Sequence, residues 1–168
     1  MDQKLLDRVR DGDKNAFAQL YYELKQPVFV IISRIVRSEA MAEDVTQDVF
    51  VKLYASPPDP SVKNPRAWIF RMARNLAIDT LRKQRDTELD DVDLPGADPA
   101  EGIDTRLDLE AAIRRLPRSE REILALHLNA ELPFREIAQI VGLTVPAAYR
   151  KYRKALKALR NMLNGGAL

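Results

Sequence analysis

Apolar residues recur at helical spacing along almost all of this 168-residue chain, and nowhere do they alternate as in a half-buried strand. Leu5, Leu6 and Val9 form a short stripe that Gly12 is placed to end, and Asp13 follows as a helix cap. The next apolar face is Ala16, Phe17, Leu20, Tyr21 and Leu24. Pro27 is expected to break that helix and to open another, carrying Val28, Ile31, Ile32, Ile35 and Val36. Ser38 is a cap for a further helix, with Val45, Val49, Phe50 and Leu53 along one side. The pattern predicts an all-α protein.

Breaks in the pattern divide the chain. Pro57, Pro58 and Pro60 forbid a helix and stiffen the loop over residues 56–63. Asn64 and Pro65 then make a strong helix start, a cap followed by proline in the first turn. The helix is expected to run to about Lys83, with Trp68, Ile69, Met72, Leu76 and Leu81 as its apolar contacts. Arg71, Asn75, Asp79 and Arg82 are spaced to share its other face. Residues 86–106 read as a flexible acidic linker, with Pro95, Gly96, Pro99 and Gly102 and little periodicity. Helical pattern resumes near Leu107 and stops at Pro117. Ser119 and Glu122 have the spacing of a capping box. Ile137, Ala138 and Val141, then Gly142, then a last helix capped by Thr144 and starting near Pro146, make a helix-turn-helix. The expected organisation is a helical module over residues 1–85, the linker, and a second module over residues 107–164.

Charge follows the same divisions. The net charge of +2 hides strong segregation. Residues 63–85 hold seven bases and one acid, residues 86–110 ten acids and one base, and residues 145–163 six bases and no acid. Such blocks build local fields that a polyanion can sense. With no cysteine, the chain has no disulfide framework and no thiolate chemistry. No N-terminal pattern suggests a signal peptide, and the richest apolar stretch, residues 28–36, is far short of the ~20 residues that span a bilayer. A cytoplasmic location without membrane insertion is expected. The sole histidine, His127, lies in an apolar helix, where a structural role is expected, and no phosphate-binding glycine loop occurs. Neither a catalytic residue, a metal site nor a cofactor is expected.

Three stretches point to binding. In the last helix, Tyr149, Arg150, Lys151, Arg153 and Lys154 follow Thr144, and a basic helix after a tight turn fits the DNA major groove. Beside and along the helix after Asn64, Lys63, Arg66, Arg71, Arg74 and Arg82 are suited to a phosphate backbone. Trp68 there packs in a core or supplies a stacking surface. Asn75 and Asp79 are poor mid-helix residues, which suggests another reason for their presence. The stiff loop ahead has room for a pocket that takes an unstacked base. In the third stretch, Glu43, Asp44, Gln47 and Asp48 form an acidic face opposite Val45 and Val49. Acid near a helix N-terminus is favourable in itself, but Gln47 and Asp48 are better explained by a basic partner.

Taken together, these motifs resemble the extracytoplasmic-function sigma factors of bacterial RNA polymerase. Residues 42–50 (Ala-Glu-Asp-Val-Thr-Gln-Asp-Val-Phe) and 65–82 (Pro-Arg-Ala-Trp-Ile-Phe-Arg-Met-Ala-Arg-Asn-Leu-Ala-Ile-Asp-Thr-Leu-Arg) are similar to their conserved region two. Leu116-Pro117, Arg121-Glu122 and Glu136-Ile137-Ala138 are similar to their region four. The resemblance implies that Glu43, Asp44, Gln47, Asp48 and Phe50 bind the polymerase core. It implies that residues 56–64 capture a flipped base of the minus-ten element. Lys63, Asn64, Arg66, Arg71, Arg74, Asn75, Asp79 and Arg82 would bind and open that element. The last helix, with Thr144, Tyr149, Arg150, Lys151, Arg153 and Lys154, would read the minus-thirty-five element. The acidic linker would thread toward the polymerase active site, or serve as a plain tether. An anti-sigma partner is also implied.

The family's last helix usually begins Gly-Thr-Val-Lys-Ser-Arg, whereas this one has Pro146-Ala147-Ala148-Tyr149-Arg150-Lys151. Lysine does not reproduce a bidentate arginine contact, so promoter preference is expected to differ. Pro133 and Phe134 replace a common Ser-Tyr pair, with no expected consequence for the fold. The alternative to a polymerase subunit is a stand-alone helix-turn-helix regulator, which needs neither the acidic helix nor the Trp helix.

Overall fold

The structure, a computed structural model, describes residues 3–36, 38–87 and 105–164. Among them are eight α-helices and no strand: α1 Gln3–Arg10, α2 Lys14–Ser33, α3 Glu39–Ala55, α4 Pro65–Thr87, α5 Thr105–Arg114, α6 Arg118–Leu128, α7 Phe134–Val141 and α8 Val145–Asn164. The linker expected over residues 86–106 lies mostly outside the described residues.

Local chemistry sets most helix ends. Gly12 adopts φ +82° after α1, a backbone conformation that costs glycine least. The Asp13 carboxylate then accepts from the amides of Asn15 and Ala16 at 2.9 and 3.0 Å, capping α2. Ser38 Oγ accepts from Met41 N at the start of α3, and Asn64 Oδ1 from Ala67 N at the start of α4. Gly142 at φ +70° ends α7. Thr144 Oγ1 accepts from Ala147 N as α8 begins.

Three expectations fail. Pro27 does not break the second helix, because α2 continues through it to Ser33. A mid-helix proline costs about 3 kcal/mol. Leu20, Leu24, Val28, Ile31 and Ile32 are all fully buried around it, and each such side chain returns roughly 1.5–3 kcal/mol. Tertiary packing therefore outweighs the proline. Nor does Ser119 form a capping box with Glu122. The cap of α6 is Pro117, with no side-chain hydrogen bond. Glu122 instead turns inward to two arginines, Arg74 at 2.8 Å and Arg118 at 3.1 Å. Helix α4 also extends past Lys83, to Thr87.

Helices α1–α4 fall in the first expected module and α5–α8 in the second. They pack directly on one another. Ile123, Leu126, Leu132, Ile137 and Ile140 of the second module share one apolar core with α1–α4. A smaller cluster, Ala112, Leu116, Leu124, Ala155 and Leu159, binds α5 to α6 and α8. Polar contacts seal the seam. Arg34 grips Glu110 with two nitrogens at 2.7 and 2.9 Å, and Arg66 Nε donates to Ala130 O at 2.7 Å. Arg121 Nε donates to Arg34 O at 3.3 Å.

Candidate nucleic-acid interface and docking face

Helix α3 carries the acidic face. The apolar side, Ala42, Val45, Val49 and Leu53, is buried against α2 and α4, so Glu43, Asp44, Gln47 and Asp48 must point to solvent. The three carboxylates have no ion-pair partner among the described residues. A face of uncompensated acid is a field source for a basic partner. Phe50 lies on the inner side instead. It is 4% exposed and packs edge-on to Tyr21 at 4.7 Å, so it supports the face from behind. The exposed side chains Val51 and Tyr54 continue the outer face and were not singled out from the sequence.

Helix α4 forms the wall of an open groove of about 330 Å³, lined by Lys52, Trp68, Arg71, Met72, Asn75, Leu76 and Asp79. The helical spacing of Arg71, Asn75 and Asp79 does bring them together. Trp68 is half-buried, so it serves both roles considered for it, packing on the core while lining the groove. An aromatic wall beside cations, an amide and a carboxylate suits a nucleobase: the ring stacks, and the polar groups pair with base edges. Lys52, from α3, closes the groove and was missed from the sequence, since it sits in another helix.

The expected minus-ten residues separate into two sets. Lys63, Arg71, Asn75, Asp79 and Arg82 are exposed, and Asn64 is half-buried as a cap. Arg66 and Arg74 belong to the seam. Arg66 binds Ala130 O, and Arg74 binds Glu122, whose side chain is 2% exposed. A carboxylate that buried needs compensation, and the paired guanidinium groups provide it.

Ahead of α4, residues 56–64 fold around Asp59, whose carboxylate accepts from Ser61 N at 2.8 Å. The hydrogen bonds from Ser61 hold the Asp59 carboxyl below its ordinary range, and the charge of Arg10 adds to this.

In the second module, α7 and α8 meet at the Gly142 turn. Phe134 stacks on His127 at 4.6 Å and meets Tyr149 and Tyr152 edge-on at 5.3 and 5.2 Å. This cluster sets the angle of α8, so Phe134 matters more to the fold than its sequence position suggests. His127 Nδ1 lies 3.1 Å from Leu132 O, a structural contact as expected. Along α8, Thr144, Tyr149, Arg150 and Arg153 are exposed. Lys151 reaches Ser119 Oγ at 3.1 Å, and Lys154 leans on buried Glu120 at 3.3 Å. Arg150 and Arg153 have no ion pair among the described residues. They are the cations of α8 best placed for a phosphate or a base edge.

No described helix is long and apolar enough to cross a membrane. Among the described residues, no group of three His, Cys, Asp or Glu is arranged to hold a metal.

Comparison with known proteins agrees with this geometry. Residues 20–87 match the Sigma-70 region 2 family, and residues 106–159 match Sigma-70, region 4. Over 172 residues the chain is 27% identical to the ECF RNA polymerase sigma factor SigK of Mycobacterium ulcerans, covering 95% of this chain and 92% of SigK. It is 26% identical to SigW of Bacillus subtilis, an ECF RNA polymerase sigma factor, covering 97% of each. Among solved structures, CnrH in complex with the cytosolic domain of CnrY aligns at TM-score 0.69 and 25% identity, over 98% of this chain and 97% of that one. RpoE of Bartonella quintana, solved with the anti-sigma factor NepR, shares the fold at TM-score 0.71 and 21% identity, over 88% of this chain and 96% of that one.

Proposed function

Because the chain belongs to the sigma-70 family, in its extracytoplasmic-function group, we propose that it directs RNA polymerase core to promoters through three separate faces. The acidic face of α3, with Glu43, Asp44, Gln47 and Asp48, docks on the polymerase. The groove beside α4 and the loop over residues 56–64 take the minus-ten element as its strands part. The exposed side of α8, with Thr144, Tyr149, Arg150 and Arg153, enters the major groove at the minus-thirty-five element. The chain acts as a binding subunit without chemistry of its own, in the cytoplasm where polymerase works.

One observation carries this reading. A single chain presents an acidic face free of ion pairs among the described residues and two basic faces, on different helices. A stand-alone repressor uses only α8. Lys151 and Lys154 are secondary DNA contacts, since both already have partners on α6.

An anti-sigma protein belongs among the partners. CnrH and RpoE, which have this fold, were each solved with a bound protein. The exposed apolar side chains Val51 and Tyr54 beside the acidic face give such a partner something to cover.

The three faces are separable by mutation. Asp48→Arg reverses a charge on the docking face and is expected to weaken binding to polymerase core at least tenfold, about 1.4 kcal/mol. Its binding to minus-thirty-five duplex DNA should stay unchanged. Titration of labelled protein with core polymerase, and separately with duplex, reads both. Equal core affinity for Asp48→Arg and the parent would refute the assignment of this face.

A further inference from the structure

We infer that Arg10, the last residue of α1, is a positioning residue for promoter opening: it holds the loop over residues 56–64 in its base-receiving shape. The inference rests on reading that loop as the one that takes the flipped base.

The loop has little with which to hold itself. Pro57, Pro58 and Pro60 have no amide hydrogen to donate. The loop's own bonds are the Asp59 turn, through Ser61 N to Asp59 Oδ1 at 2.8 Å and Val62 N to Asp59 O at 3.0 Å. Arg10 Nε donates to the carbonyl of buried Pro58 at 2.7 Å, across 48 residues of sequence. The guanidinium is fixed from behind by Asp7, which accepts from Nη1. Helix α1 is itself anchored through Leu5, Leu6 and Val9, all buried. A rigid helix thus grips the middle of a loop whose outer residues, Ser56, Asp59, Pro60, Ser61 and Lys63, remain exposed.

The grip is not what packing alone would select. The Arg10 side chain is only 14% exposed, and its Nη2 is buried with no hydrogen-bond partner among the described residues. An unsatisfied buried donor is costly, and an apolar side chain would fill the same space without that cost. What only arginine supplies here is a rigid fork spanning Asp7 and the Pro58 carbonyl at once. Lysine, with one compact ammonium, holds one of the two at a time.

The test uses holoenzyme, made from the full chain and polymerase core. The templates carry a single abasic site at each minus-ten position in turn. Permanganate reactivity reads strand opening. With the parent protein, one position should be sensitive, losing about tenfold when its base is removed, the order of one base's recognition. With Arg10→Ala, opening of the intact promoter should fall by about the same factor, and the abasic site at that position should cost no more than about twofold. Arg10→Lys keeps the apolar stem and the charge and should fold as the parent does, with intermediate abasic sensitivity. If Arg10→Ala fails to fold, Arg10→Lys decides alone. Core binding and minus-thirty-five binding should be unchanged in both variants, which a general structural defect would not allow. Variants that retain the full abasic penalty would overturn the role of Arg10 while leaving the loop assignment intact. A parent protein with no sensitive position would overturn the loop assignment, and the role of Arg10 with it.

Discussion

Arg34 and Glu110 are 76 residues apart in sequence and meet at 2.7 Å. The bond from Arg34 holds the Glu110 carboxyl below its ordinary value of 4.5. A depressed carboxylate stabilises the fold above its unfolded pKa, and that contribution is lost as pH falls through the folded pKa. Stability of the seam should therefore decline as pH drops below about 4.5. Arg34→Ala should flatten this acid limb in urea melts taken from pH 6 down to 3, roughly the range over which a carboxylate titrates. Asp13 and Asp59 are also depressed, but by groups other than Arg34, so they contribute equally to both proteins. An unchanged acid limb in Arg34→Ala would contradict the assignment. Neither partner was legible as one of a pair in the sequence, because nothing local joins them. The same holds for Glu122, which has the spacing of a cap and becomes the buried partner of Arg74. The residues that sequence did place, Asp13, Ser38, Asn64 and Gly142, act within three or four positions of themselves, where spacing is sufficient information.

At the scale of the helix, α8 does two jobs on two sides. Ala148, Ala155 and Leu159 are buried, and Arg150 and Arg153 face out. Each phosphate neutralised releases counterions, so affinity for duplex should fall with salt at a log–log slope of about 0.9 per contact. Arg153→Ala should reduce that slope by about one contact. Lys151→Ala should reduce it less, because Lys151 is shared with Ser119. Duplex binding measured across a salt series checks both, and equal slopes for the two variants would contradict the division. Periodicity and charge made α8 readable from sequence, yet they gave all four of its first bases equal weight. Only packing against α6 separates them. Helix α2 shows the opposite failure: a local rule about Pro27 predicted a break, and burial on both sides of it overrode the rule.

The acidic block is what divides the sequence into two expected modules, but the seam between α1–α4 and α5–α8 was not legible, since it is built from residues far apart in sequence. In the seam, Arg66 and Arg74 are engaged by Ala130 and Glu122, although their module is the one assigned to the minus-ten element. In this arrangement their guanidinium groups are turned to the seam and not to the exposed side of α4. The packed arrangement therefore keeps part of the positive charge of α4 covered, while the groove residues Arg71, Asn75 and Asp79 stay exposed. The acidic face of α3 is open in the same arrangement. All of this rests on the chain working as a promoter-specificity subunit. The direct test is run-off transcription by purified core polymerase on a promoter library, with and without the protein. Start-specific transcripts should appear only when the protein is present and vanish with Asp48→Arg. Transcripts that are absent with the protein, or that persist undiminished with Asp48→Arg, would contradict that role.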